Sequence, residues 1–103
     1  MPMQQETSQS IASWAEEAFG PVPTLTSLID RAEREFVELR EAVADGHPAE
    51  HVIMEAADIA ILLHRLVALS GGDLAAAVDA KMAVNRLRRW VPAGDGTGQH
   101  VED

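Results

Sequence analysis

Apolar residues recur every three to four positions in four segments of this chain, and residues that favour turns separate these segments. The pattern predicts four helices, over about residues 8–19, 24–45, 48–69 and 73–90. Alanine, leucine and glutamate dominate them, and the alternating β-branched pattern of strands is nearly absent. Residues 91–103 are rich in glycine, and we expect them to be irregular. The sequence therefore predicts one all-α domain over residues 1–103, with a helical body over 8–90.

The third predicted helix is apolar on nearly all of its faces from Ile53 to Leu69. Such a helix is normally buried on several sides, yet a chain of 103 residues has little interior to bury it. Short links make helices 2, 3 and 4 antiparallel neighbours. We therefore expect a four-helix bundle that assembles as a homo-oligomer, with helix 3 near a subunit interface. The alternative is a monomer with an exposed apolar strip.

Composition narrows the class of protein. The chain has 17 acidic and 8 basic residues, a net charge of −9, 47% hydrophobic residues and no cysteine. Its apolar content is too high for a disordered acidic tail, and its acidity argues against broad nucleic-acid binding. No segment approaches the ~18–20 apolar residues of a membrane span, and the N-terminus does not read as a signal peptide. We expect a cytoplasmic protein without nucleic-acid or membrane partners.

Two pairs of carboxylates, each with a spacing of three residues, lie on predicted helices 2 and 3. They are Glu35 with Glu38, and Glu55 with Asp58. Residues three apart share one face of a helix, so antiparallel helices bring the two pairs together. Four carboxylates repel one another unless cations lie between them, and oxygen-only ligands favour Mg²⁺ or Mn²⁺. The sequence therefore predicts a divalent-metal site.

Each pair also has a plainer interpretation. The first pair is compatible with an exposed face in which salt bridges form to Arg31 or Arg34. Glu55 is compatible with the solvated first turns of helix 3. Asp58 lies inside the apolar run AADIAILL, where solvation is hard to sustain. Its position favours the metal site over the plainer interpretation.

A basic stripe follows on predicted helix 4. Lys81, Asn85 and Arg88 have the spacing i, i+4, i+7, which places them on one side of a helix. A lysine, an amide and an arginine together suit phosphate oxygens. The alternative is a cationic helix end that complements the macrodipole. Lys81 lies nearly three turns from that end, which favours the phosphate site.

Aromatic residues are few, and a ligand with a flat ring would stack on one of them. Trp14, with Ile11 one turn before it, is the first candidate for such a contact, and Trp90 and Phe19 are the alternatives. The competing interpretation is that each of these aromatic side chains lies in the core or an interface.

The four histidines are interpreted as structural or surface residues rather than as ligands. His64 lies in the apolar run ILLHRL, so we expect it in the core or an interface. His47, His51 and His100 lie in or beside turns, and we expect them to be free at the surface.

These residues resemble the motifs of the MazG-like all-α nucleoside triphosphate pyrophosphohydrolases. The resemblance covers about residues 25–90 and has three motifs: Glu35-x-x-Glu38, Glu55-x-x-Asp58 and Lys81-x-x-x-Asn85-x-x-Arg88. The family often writes its first motif EExxE, whereas Arg34 stands at the leading position here. The resemblance implies a homo-oligomeric four-helix bundle, either a dimer or a tetramer built as a dimer of dimers. It also implies metal-dependent hydrolysis of nucleoside triphosphates to monophosphate and pyrophosphate.

A narrower resemblance is to the phage-associated dATP/dGTP pyrophosphohydrolase (MazZ-like) group. It rests on Trp14 and on the segments EAADI, KMAVNRLRRW and GDGTGQH. It implies dGTP as the substrate, with GTP or dATP as others, and a role in the synthesis of 2-aminoadenine phage DNA in the host cytoplasm. The alternatives are a housecleaning pyrophosphohydrolase of noncanonical or pyrimidine nucleotides and a non-catalytic helical partner module.

The family resemblance also implies roles for the site residues. Two or three Mg²⁺ or Mn²⁺ ions would be held by the four carboxylates, with Glu35 or Glu38 as the general base. The stripe on helix 4 would hold the β- and γ-phosphates, and Trp14 would lie against the base.

Overall fold

Four helices form where the apolar spacing and the turn residues predict them. The computed structural model describes residues 5–101, and its elements are α1 (Ser8–Phe19), α2 (Leu25–Ala44), α3 (Ala49–Leu69), α4 (Leu74–Leu87), β1 (Arg89–Pro92) and β2 (Gly98–Val101). Thr7, Thr24 and Asp73 are the N-caps of α1, α2 and α4, and each side chain accepts a hydrogen bond from a backbone N–H of the first turn. The four predicted helices are therefore confirmed.

The third helix is the centre of the fold, since α1, α2 and α4 all pack against α3. Most of the buried apolar side chains are alanines, and the buried apolar set is Ala12, Ala15, Leu28, Ala32, Ala42 and Ile59. Small residues let neighbouring helices approach closely, but they bury little apolar area. One chain therefore has a thin core.

Much of the apolar surface of α3 and α4 stays exposed within one chain. Ile53 and Met54 of α3 are 63% and 65% exposed, and α4 has no buried residue. Burial of α3 on several sides, as its sequence predicts, is not reached by the single chain. Across residues 5–101, no helix combines the length and the apolar content needed to cross a bilayer.

The end of α4 differs from the prediction. The helix ends at Leu87 rather than near Trp90, and Arg88 already has an extended backbone, with φ −86° and ψ 155°. The indole Nε1 of Trp90 donates a hydrogen bond to the carbonyl oxygen of Asn85 at 2.8 Å. The same carbonyl also accepts the backbone N–H of Arg88 at 3.2 Å, so the indole adds a second hydrogen bond at the helix end.

The glycine-rich tail is a β-hairpin, so the expectation of an irregular segment is wrong. Strands β1 and β2 pair antiparallel, with Arg89 opposite Val101. The turn contains Gly94 and Gly96, whose φ values of 96° and 92° are costly for other residues. The carboxylate of Asp95 accepts hydrogen bonds from the backbone and side chain of Thr97. These glycines and this aspartate form a turn, because short polar side chains and positive φ suit hairpin loops.

The N-termini of α1 and α4 cap each other on the surface of α3. The backbone N–H of Ser8 donates to Asp73 Oδ1 at 2.9 Å, and the backbone N–H of Leu74 donates to Ser8 Oγ at 2.7 Å. Ser8 Oγ also lies 2.8 Å from Nδ1 of His64. Backbone hydrogen bonds from Ser8 and then Ala76 hold the pKa of Asp73 below its ordinary value. His64 is thus a structural residue, as expected, and one carboxylate serves two helix ends.

Removing the hydroxyl of Ser8 tests this junction. Ser8 is 0% exposed, so Ser8→Ala leaves the Leu74 N–H and the His64 ring without their buried partner. The free energy of unfolding should fall by about 1–3 kcal/mol in urea titrations. Ser13→Ala, an exposed serine of the same helix, is the control and should change it by less than about 0.5 kcal/mol. Equal effects of the two substitutions would contradict the proposed junction.

Candidate metal and nucleotide site

Helices α2 and α3 bring three of the four predicted carboxylates together. Glu35, Glu55 and Asp58 each offer one oxygen, and these oxygens all lie within 4.8 Å of one another. The fourth, Glu38, is exposed beside Glu35. A hydrogen bond with Glu35 and the negative charge of Glu35 raise the pKa of Glu38. The cluster is acidic enough for one carboxyl to hold its proton more tightly than usual.

Asp58 is exposed, whereas its apolar neighbours predict burial. Its side chain faces an open cavity rather than the interior of the bundle. Glu35 and Glu55, which have plainer surface interpretations in the sequence, are the half-buried members. The two glutamates are therefore the more buried members of the cluster.

Each half-buried glutamate has a basic neighbour one turn before it on its own helix. Arg31 Nε lies 3.1 Å from Glu35 Oε1, and His51 Nε2 lies 3.4 Å from Glu55 Oε1. The pairing of Glu35 with Arg31 is the one that the plainer interpretation of the first carboxylate pair expects. The expectation that His51 is free at the surface is wrong, because four residues on a helix bring it over Glu55.

The donor set fits a divalent cation. Glu55 Oε2 is enclosed, and no group among residues 5–101 forms a hydrogen bond with it. A buried carboxylate oxygen without a partner is costly, and a cation between the three carboxylates would satisfy it. Ligands that are all carboxylate oxygens suit Mg²⁺ and Mn²⁺ rather than zinc. Glu35, Glu55 and Asp58 are the residues that would hold the ions, with Glu38 at the edge.

A cavity of about 500 Å³ opens beside the carboxylates, between α1, α2 and α3. One wall is apolar and consists of Trp14, Phe19, Leu28, Ile61 and Leu62. The polar residues of the lining are Arg31, Glu35, Asp58 and Arg65. This size and this mixture of an apolar wall with a few charged groups are typical of small-molecule sites.

The aromatic part of the wall comes from α1. Trp14 and Phe19 form an edge-to-face pair with ring centroids 5.4 Å apart. They are 56% and 71% exposed, so their faces are available to a ligand. Ile11 lies outside this cavity, in an adjoining recess that shares Trp14 and Ile61 with it. The structure therefore places Trp14 and the alternative Phe19 at the cavity, and Ile11 beside it.

The basic stripe of α4 does not reach the cavity within one chain. Within residues 5–101, the lining comes from α1, α2 and α3. Lys81 and Asn85 share a side of α4, but Arg88 has left the helix, so the predicted three-residue helical stripe is wrong at its last member. Trp90, an alternative base platform, packs edge-to-face with His100 in the hairpin. Phosphate binding by these α4 residues stays a prediction.

One residue of the cavity is not singled out by the sequence reasoning. Arg65 is only 8% exposed and lines the cavity from α3. The sequence offers the same signal for Arg65 as for Asp58, namely a charged residue inside an apolar helix. Arg65 lies seven residues after Asp58, on the same face of that helix.

The architecture is that of a small helical bundle with a carboxylate cluster between its helices, an arrangement in which other helical proteins bind metal ions. The model of the dATP/dGTP pyrophosphohydrolase family matches residues 7–102, and the chain belongs to this family. The predicted resemblance is confirmed.

Two phage proteins, each named dATP/dGTP diphosphohydrolase, are relatives. The one from Salmonella phage PMBT28 is 38% identical over 99 residues, which is 95% of this chain and 31% of that protein. The one from Cyanophage S-2L is 38% identical over 64 residues, 62% of this chain and 59% of that protein. The matches thus span less than two thirds of each relative's length.

The fold is also that of a solved structure, the Cyanophage S-2L MazG-like pyrophosphohydrolase bound to dGDP and three catalytic Mn²⁺ ions per active site. The TM-score is 0.70 with 29% sequence identity, and the match covers 92% of this chain and 93% of that one.

Metal binding is expected to stabilise the folded chain. Mn²⁺ at about 100 times its Kd should add about 2.7 kcal/mol, which raises Tm on the order of 10 °C for a chain of this size. Glu55→Gln should lose this shift while the metal-free protein keeps or gains stability, since one repelling charge is removed. Glu33→Gln, an exposed glutamate of α2, is the control for thermal melting. A full Mn²⁺ shift in Glu55→Gln would rule out this ligand set.

Proposed function

We propose that the protein hydrolyses purine nucleoside triphosphates, dGTP above all and also GTP or dATP, to the monophosphate and pyrophosphate. The observation that carries the proposal is the convergence of Glu35, Glu55 and Asp58 within 4.8 Å at the mouth of the cavity. The names of the phage relatives and the dGDP and Mn²⁺ of the structural neighbour support it.

Glu35, Glu38, Glu55 and Asp58 would hold two or three Mg²⁺ or Mn²⁺ ions. When bound, the ions supply charge neutralisation and a lowered pKa for water. Without metal, the net charge of −9 repels a negatively charged triphosphate. Two divalent ions would offset the charge of the four carboxylates. Nucleotide affinity, and not turnover alone, therefore depends on divalent metal.

The reaction breaks the bond between the α-phosphorus and the oxygen that bridges to the β-phosphate. A water oxygen forms the new bond to the α-phosphorus, its proton passes to a carboxylate, and pyrophosphate leaves. Glu38 is the better general base of the two candidates, because Arg31 already engages Glu35.

The remaining parts of the nucleotide have separate partners. The base lies against Trp14, with Ile11 beside it, because every purine offers a face for stacking. Lys81, Asn85 and Arg88 hold the β- and γ-phosphates. This last assignment rests on their spacing and on the family resemblance, since the cavity of one chain does not include them.

We also propose that the monophosphate product feeds the synthesis of 2-aminoadenine phage DNA. The phage origin of both relatives supports this role.

A turnover panel over the common deoxy- and ribonucleoside triphosphates tests the activity. We expect purines to be hydrolysed, dGTP fastest, and ³¹P NMR to detect pyrophosphate rather than orthophosphate. EDTA should abolish both turnover and nucleotide binding. Asp58→Asn should lower kcat by at least about 100-fold with an unchanged helical circular dichroism spectrum.

Asp30→Asn, an exposed aspartate on α2, is the matched control for that substitution. Exclusive use of pyrimidine or noncanonical nucleotides would favour a housecleaning enzyme. Tolerance of amides at both Glu55 and Asp58, with no metal-linked stabilisation, would favour a non-catalytic partner module.

The second part of the proposal is assembly of this chain with copies of itself. The chain exposes 8117 Å², whereas a compact monomer of its mass exposes about 5,700 Å². The excess includes large apolar side chains on α3 and α4: Ile53, Met54, Val78, Met82, Val84 and Leu87. The difference is about 2,400 Å² on each chain, more than the about 800 Å² per partner of a standard interface but within the range of obligate homodimers, which bury about 2,000–5,000 Å² over both partners. A tetramer built as a dimer of dimers is compatible with the same surface.

Sedimentation equilibrium should therefore show a dimer or a tetramer at micromolar concentration. A charge within the apolar surface of α4, as in Met82→Asp, should shift the equilibrium toward the monomer. Ser13→Asp, which adds the same charge to an exposed position on α1, should leave the assembly unchanged. A wild-type chain that sediments as a monomer throughout would contradict self-assembly.

A further inference from the structure

Arg65 is the one charged residue between positions 5 and 101 that is buried, at 8% exposure. Its Nη2 donates a hydrogen bond to the carbonyl oxygen of Gly20 at 2.6 Å, in the link between α1 and α2. No carboxylate in the described part of the chain forms an ion pair with it. A buried cation without a counter-charge is costly unless acceptors surround it.

The guanidinium of Arg65 has more donors than its one hydrogen bond uses. A guanidinium carries five N–H donors, and the bond to Gly20 uses one of them. Among residues 5–101, the enclosed side-chain atoms without a partner are Glu55 Oε2 and Asn85 Oδ1, and no nitrogen of Arg65 is one of them. Arg65 lines the cavity, so the cavity is where a ligand would meet its remaining donors.

Arg65 lies where the base of a nucleotide would reach if its phosphates were at Asp58. Asp58, Ile61, Leu62 and Arg65 follow one face of α3 along the cavity. Seven residues of helix separate the metal-site carboxylate from the guanidinium by roughly 10 Å. With the phosphates at Asp58, the sugar passes the two apolar residues and the base arrives at Arg65. Trp14 and Phe19 supply the aromatic wall of the same cavity.

We propose that Arg65 reads the edge of the base through N7 and O6 of guanine, and that it sets a preference for guanine over adenine. An arginine offers donors only, and guanine presents two acceptors on that edge, whereas adenine presents one acceptor and one donor. The hydrogen bond to Gly20 fixes the plane of the guanidinium, so the fork is oriented before the base arrives. This inference rests on the proposed function, because it requires a nucleotide in the cavity.

A purely structural Arg65 gives a different outcome. In that case the residue only ties the α1–α2 link to α3 through Gly20. Its replacement then lowers stability and slows all substrates in parallel, because no contact to a particular base atom is lost.

The experiment compares kcat/KM for dGTP, dATP and 7-deaza-dGTP, which lacks the N7 acceptor. Wild-type protein should prefer dGTP over 7-deaza-dGTP by about 5-fold or more, as expected for one lost base contact. In Arg65→Met this preference should fall to about 1. The same substitution should slow dGTP by about 10- to 100-fold and dATP by less than about 3-fold. Arg34→Met, an exposed arginine on α2, is the matched control and should keep the wild-type preferences.

The wild-type comparison of dGTP with 7-deaza-dGTP needs no variant, so it holds even if Arg65→Met folds poorly. Equal rates for the two nucleotides in wild type would overturn the inference, as would a parallel loss for all three substrates in Arg65→Met. If the wild-type protein is active, either of these results contradicts the role of Arg65 but not the proposed hydrolase function. A wild-type protein that turns over none of these nucleotides overturns the proposed function and the inference together.

Discussion

The mutual capping of α1 and α4 is the interaction on which the site depends most. Without the bonds between Ser8, Asp73 and Leu74, α1 would be held mainly by small alanines, which bury little area. Because α1 carries Trp14 and Phe19, its position decides whether the cavity has an aromatic wall. Serine, histidine and aspartate meet here, yet Ser8 is fully buried, so the trio positions helices and offers no exposed nucleophile.

The carboxylate cluster opposes folding and serves function at the same time. Charges of one sign brought together destabilise the folded chain, and the metal-free protein offsets this only partly, through Arg31 on Glu35. Glu55 Oε2 keeps no partner among the described residues. Cations at the proposed site would recover this stability, since ligands that bind the folded state alone stabilise it. With the proposed ions, the cluster would couple folding to metal binding.

The features that the sequence predicts are those that depend on residues close to one another along the chain. The caps Thr7, Thr24 and Asp73 and the glycine turns fix the helix ends, and the three-residue spacing fixes the carboxylate faces. The hairpin is missed because its pairing of Arg89 with Val101 depends on contacts across a turn rather than on local periodicity. The position of Arg65 at the cavity depends on Gly20, which lies 45 residues earlier. Contacts between distant positions carry no spacing signal in one sequence.

One helix carries both ends of the proposed site. On α3, Asp58 belongs to the carboxylate cluster and Arg65 to the far end of the cavity, with roughly 10 Å between them. Groups that far apart, without shared partners, usually act independently. Arg65 is bonded to the α1–α2 link, whereas the carboxylates are bonded within α2 and α3. The proposed recognition of the base would therefore change through Arg65 and the α1 wall while the proposed metal chemistry at Glu35, Glu55 and Asp58 stays the same.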